Sequence, residues 1–205
     1  METPRLIGKL HDPDVVRTVG KRESKTVGKK QILLDINPNL GWVAGFGFST
    51  DWAFLTYLDM AGNVLDEDQF EIGTDLQEIL DTLNERVTAW SSEQDAQIGK
   101  MLGIGIGIPG VVNVDNGRIK LSSILKLQKH PFRGLVEDRF QTLAHVDNNV
   151  NLAAQAESRV GAASDLNNFI YFHLSVSASG DGYTFQSIGS SHCLDGKPYR
   201  GAHYS

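Results

Sequence analysis

Three observations predict an α/β fold built on a mixed sheet. Three short strand-like runs follow one another from residue 42 with tight connections between them. Next comes an apolar stripe at helical spacing, formed by Leu76, Ile79, Leu80, Leu83, Val87 and Trp90. A continuous apolar run over 101–108 then reads as a strand buried on both faces. Strands and helices continue to alternate downstream, an order that places a sheet at the centre and helices on its faces.

Taken in order, residues 14–19 and 30–36 are two β-like runs separated by a polar, basic, glycine-bracketed stretch from Gly20 to Gly28, the pattern of a hairpin with a long basic tip. Asn37-Pro38-Asn39-Leu40-Gly41 is a turn or short linker and the expected domain boundary, dividing 1–38 from 39–205. Strands are predicted over 42–49, 52–59 and 64–72, with Ala61-Gly62-Asn63 turning between the last two. Thr74 is read as the start of a helix, with Gln77 three residues on completing a capping box. The strand at 101–108 ends at Pro109-Gly110. Beyond it the pattern gives a loop at 127–132, a helix over 133–140, a strand over 143–147, a helix over 149–161, and strands over 168–176 and 183–189.

Composition narrows the function classes. Hydrophobic residues make up 40% of the 205, ample for a core. Net charge is −6, but residues 1–30 hold eight Lys/Arg against four acids, so a basic tip sits on an acidic body. That balance suits nucleic-acid contact at one end, though composition alone favours a solvated N-terminus. The single cysteine, Cys193, excludes an internal disulfide and fits a reducing compartment. No run of 18 apolar residues and no signal-peptide stretch is present, so the expected location is cytoplasmic, with no membrane partner.

Two segments carry a family resemblance: Gly103-Ile-Gly-Ile-Gly-Ile-Pro-Gly110, and Val146-Asp-Asn-Asn-Val-Asn-Leu-Ala-Ala-Gln-Ala-Glu157. Together they resemble the ROK family of bacterial sugar kinases and sugar-responsive repressors. The resemblance implies an actin/hexokinase-like (ribonuclease-H-like) lobe preceded by a short β-hairpin wing. In ROK kinases the second segment reads Glu-Asn-Asp-Xaa-Asn-Xaa-Ala-Ala, and its Asp is the catalytic base. Here Asn149 occupies that position, and a carboxamide cannot accept a proton near neutral pH.

The nucleotide elements implied by the family depart too. The kinases' first phosphate turn follows an Asp-Xaa-Gly-Gly-Thr pattern, whereas this chain reads Gly45-Phe-Gly-Phe-Ser-Thr-Asp51, with Gly47 at the Asp position. Their second turn reads Gly-Thr-Gly-Ile-Gly-Xaa-Gly, and this chain has Ser175-Val-Ser-Ala-Ser-Gly-Asp-Gly182. Serine carries a Cβ that hinders positive φ and close phosphate approach. No catalytic residue and no cofactor is therefore expected.

By the same resemblance, sugar contacts fall on Asn148, Asn149 and the loop Leu127–Phe132, where Lys129 takes the family's Asn position beside Gln128 and His130. Helix capping is an equal reading of Asn148 and Asn149. His192 and Cys193 are adjacent and lack partners at ligand spacing, so no metal site is expected.

The stretch from Val19 to Pro38 resembles the wing and Leu-Asn-Pro linker of ROK repressors, which implies that Lys21, Arg22, Lys25, Lys29 and Lys30 meet DNA phosphates. Segment 1–38 then reads as the remnant of a winged-helix domain, short of its recognition helix. Segment 39–205 reads as the N-terminal lobe and the start of the second, corresponding to about the first half of a full ROK body. The expectation is a noncatalytic, sugar-responsive transcriptional regulator. Its partners would be a sugar or sugar-phosphate effector, DNA if the missing helices are supplied, and a second copy in a homodimer. The alternative is a glucokinase-like sugar kinase phosphorylating a hexose from ATP, with Asp147 or Asp181 as base. A noncatalytic dimerising module is a third reading.

Overall fold

A computed structural model describes residues 15–22, 31–49, 51–94, 98–179 and 182–202. Its centre is a five-stranded mixed sheet. Strands β3 (Gly41–Phe48), β4 (Trp52–Asp59) and β5 (Val64–Glu71) form an antiparallel meander, and β6 (Lys100–Ile108) and β10 (Ala144–Asn148) extend it in parallel, in the order β10-β6-β3-β4-β5. The first two connections are tight because their residues suit turns. Asp59 Oδ1 accepts the backbone N–H groups of Ala61 (2.8 Å) and Asn63 (2.9 Å), and Gly62 takes the left-handed φ of 87° that side chains resist.

Helix α1 (Leu76–Glu93) covers one face. Its predicted stripe, Ile79, Leu80, Leu83, Val87 and Trp90, is buried against the sheet. Trp90 stacks on Tyr57 at a centroid distance of 3.9 Å, and Trp42 meets Trp90 edge-on at 5.0 Å. Offset and edge-on ring pairs add to what burial alone contributes. Burial, reinforced by Asp68 and Asp66, pushes the Tyr57 phenol above its ordinary range, so it stays neutral. The cap differs from expectation. Asp75, not Thr74, is the N-cap, and its Oδ1 accepts from Gln77 N (2.8 Å) and Glu78 N (3.1 Å). The Gln77 side chain is used elsewhere, its Oε1 accepting from Arg139 Nη2 at 2.9 Å.

Between β6 and helix α2 (Phe132–Phe140) the chain forms a small antiparallel sheet of β7 (Val111–Asn113), β8 (Arg118–Ser122) and β9 (Leu127–His130). The stretch 127–132, read from sequence as a loop, is thus largely strand β9. Arg133 at the start of α2 fastens the β7–β8 turn by donating to the carbonyls of Asp115 (3.0 Å) and Val114.

Helix α3 (Asn149–Val160) follows β10 directly. Beyond it β11 (Phe169–Ser179) and β12 (Gly182–Leu194) form a hairpin longer than the predicted strands, edged by β13 (Lys197–Pro198). The packing of α3 on β12 is tight: a Cβ at Gly189 would lie 2.6 Å from Val150 Cγ2. At the other end, β1 (Val16–Arg22) and β2 (Gln31–Ile36) pair antiparallel as the expected hairpin, and a 3-10 turn over Pro38–Leu40 leads into β3. Among the described residues no helix is long and apolar enough to cross a membrane.

Candidate functional site

The corner where β10 turns into α3 lies beside the end of β6, and backbone chemistry sets its shape. The first turn of a helix leaves N–H groups without intrahelical acceptors. Asn148 answers them: its Oδ1 accepts from Val150 N (2.9 Å) and Asn151 N (3.1 Å). Its Nδ2 donates to the Gly110 carbonyl at 2.8 Å, which ties the helix start to the turn after β6. That turn is held from the other side by Ser122, a buried residue whose hydroxyl donates to the Pro109 carbonyl at 2.8 Å. A Cβ at Gly110 would stand 2.3 Å from the Leu121 carbonyl oxygen, so only glycine fits between these elements.

Asn148 is therefore an N-cap with both ends of its amide engaged. Asn149, the first helical residue, is half-buried, and its Oδ1 lies 2.9 Å from Val150 N while its Nδ2 donates to no described residue. Strand β6 approaches closely here. A Cβ at Gly107 would come 3.3 Å from Asn149 Cα, which gives a reason for the last of the alternating glycines.

The adjacent carboxylate has a different role. Asp147 is fully buried, and Arg200 grips it in a bidentate pair, Nη1 to Oδ1 at 2.7 Å and Nη2 to Oδ2 at 2.6 Å. Asn148 N–H donates to Oδ1 at 2.7 Å. This pair had no signal in the sequence, since its members stand 53 residues apart.

Lys129 and His130 lie on β9, the strand two away from β7 and its Gly110 corner. Lys129 is exposed and takes a left-handed φ of 50°. The Nδ1 atom of His130 is buried without a hydrogen-bond partner. Among the described residues no hydrogen bond joins either of them to Asn148 or Asn149.

Gly45 and Gly47 lie within β3, paired with Thr56 and Phe54 of β4. Ser175–Ser179 continue β11 as strand paired to β12, with a register shift between Ser175 and Val176, and Gly180 and Asp181 lie outside the described residues. Cys193 is buried, which pushes its thiol above the ordinary range, and no group of three His, Cys, Asp or Glu gathers as a metal site among the described residues. Lys21 is exposed on β1, Arg22 ends that strand, and Lys25, Lys29 and Lys30 lie outside the described residues.

Comparison with known proteins agrees with this architecture. A xylose repressor of Caldicellulosiruptor bescii is 26% identical over 177 residues, covering 85% of this chain and 42% of the repressor. The crystal structure of a ROK family transcriptional regulator, a homolog of the E. coli MLC protein, matches with a TM-score of 0.72 at 19% identity, over 98% of this chain and 49% of the regulator. A ROK family glucokinase from Streptomyces griseus, in complex with glucose and AMPPNP, matches with a TM-score of 0.65 at 22% identity, over 80% of this chain and 48% of the kinase. The chain thus spans about half the length of the proteins it matches, and its fold is the actin/hexokinase-like fold they share. The family model for ROK proteins matches residues 49–203, and the chain belongs to the ROK family.

Proposed function

We propose that this chain is part of a noncatalytic, sugar-responsive transcriptional regulator, with an effector-binding body derived from a sugar kinase. The observation that carries this reading is the β10–α3 corner. By the family's motif Asn149 takes the place of a ROK kinase's base, and Asp147, two residues before it, is sealed in a bidentate pair with Arg200. A carboxylate held by two charge-assisted bonds in a buried site is a poor proton acceptor for a sugar hydroxyl.

Asn149 keeps a donor for a hydroxyl, and Asn148 contributes by shaping the turn. Lys129, exposed on β9, is a further polar side chain near this face, while the buried Nδ1 of His130 is closed to a ligand. Relatives named xylose repressors make a small neutral sugar the first effector to test, with sugar phosphates next. The ROK regulator's structure covers 98% of this chain and the glucokinase's 80%, and the part the kinase leaves unmatched is the size of segment 1–38. We read that segment as a DNA-binding wing, with Lys21, Arg22, Lys25, Lys29 and Lys30 meeting phosphate oxygens. Binding through such contacts is weak, salt-sensitive and indifferent to sequence. A homodimer would pair two such wings on one site.

The kinase reading draws on the likeness to ROK kinases, the glucokinase among them. Phosphorus NMR of the protein with ATP-Mg and xylose or glucose decides between the two. The regulator reading predicts an unchanged γ-phosphate signal, and sugar phosphate accumulating in proportion to protein would overturn it.

A further inference from the structure

Arg200 reaches the β10–α3 corner from beyond β13, and it is the principal counter-charge of a carboxylate that has no contact with water. The Asp147 side chain has a relative exposure of 1%, and that of Arg200 24%. Both carboxylate oxygens are used: Arg200 bonds each of them, Asn148 N–H adds to Oδ1, and Gln155 Nε2 stands 3.5 Å from Oδ2. A charge buried to this degree is tolerated because its partner is in place. A second polar contact crosses the same boundary, where the Ser191 hydroxyl of β12 donates to Asn151 Oδ1 at 2.8 Å. The backbone between these two contacts is the helix start that Asn148 caps and from which Asn149 is presented.

We propose that Arg200 is a positioning residue: by clamping Asp147 it sets the β10–α3 corner in the shape that offers Asn149 to a sugar. This inference rests on the reading of Asn149 as an effector contact. A cavity of about 370 Å³, lined by Gln155, Arg159, Gly196, Lys197, Pro198 and Arg200, opens on the outer side of the pair. Small ions in solution therefore have access to the Arg200 position.

The test is amide hydrogen exchange on the wild-type chain and on Arg200→Ala, paired with xylose titration. Loss of charged hydrogen bonds predicts exchange at Asn148, Val150 and Asn151 faster by about tenfold or more, with β3 and β4 amides unchanged. Guanidinium chloride at about millimolar concentration, too dilute to denature, restores protection by refilling the fork–carboxylate site. Arg200→Lys keeps the charge but not the two parallel bonds, so it protects only partly, and it carries the test if the alanine variant fails to fold. Unchanged exchange at the three amides in the alanine variant, full protection by lysine, or an equal rise across the whole sheet overturns the proposal. If the wild-type chain does not bind xylose, the effector reading loses its first ligand, while the exchange arm still decides what Arg200 does. Where xylose binds, its affinity falls with the lost protection and recovers with guanidinium.

Discussion

A carboxamide at position 149 places a hydrogen-bonding side chain at the start of α3 that is no proton acceptor near neutral pH. The residues around it fix the shape of the corner. Asn148 carries the structural share, with Oδ1 on two helix N–H groups and Nδ2 on the Gly110 carbonyl. Replacing Asn148 by alanine removes a favourable N-cap and leaves that carbonyl short of a donor. The expected loss is about 1–2 kcal/mol, read as a lower urea midpoint with unchanged slope. A variant as stable as wild type would mean the cap is dispensable and would return Asn148 to a ligand role. Sequence pattern alone left capping and ligand contact equal for this residue, because asparagine serves both. Three hydrogen bonds show it capping the helix. Asp147 was still less legible, since nothing local marks a pairing with Arg200 across 53 positions.

At the scale of elements, periodicity located most of what it could reach. The stripe from Ile79 to Trp90 is the buried face of α1, and the apolar run at 101–108 is a strand flanked on both sides by parallel neighbours. The small sheet β7–β9 escaped notice because its strands are three to five residues long, too short for alternation to stand out. Thr74 and Asp75 are adjacent residues that both favour caps, and tertiary docking of α1 chose the second. The glycines of β6 are legible as glycines but not as close-approach sites until α3 is placed against Gly107. The same reasoning applies across α3 and β12. Gly189→Ala would drive a methyl into Val150, whose branched side chain has little room to turn, at a cost of about 1–3 kcal/mol in thermal or chemical unfolding. A Gly189→Ala variant with wild-type stability would mean that α3 is free to shift on the hairpin, and would weaken the case for a rigid corner.

At the scale of the whole molecule, the described residues combine two properties. The sheet and α1 form a well-packed core around Trp42, Tyr57 and Trp90. The β11–β12 hairpin, by contrast, exposes Phe172, Leu174, Phe185 and Ile188 on one apolar face. The chain covers about half of its relatives' length, and the β10–α3 corner lies at the junction of its core with that hairpin. The central claim is that this corner binds a sugar without the machinery to use a nucleotide. Calorimetric titration of the purified chain with xylose and, separately, with ATP-Mg tests it most directly. The account predicts saturable heat with xylose, reduced in Asn149→Ala, and none with ATP-Mg. Saturable ATP-Mg binding, or a chain that binds neither, would contradict it.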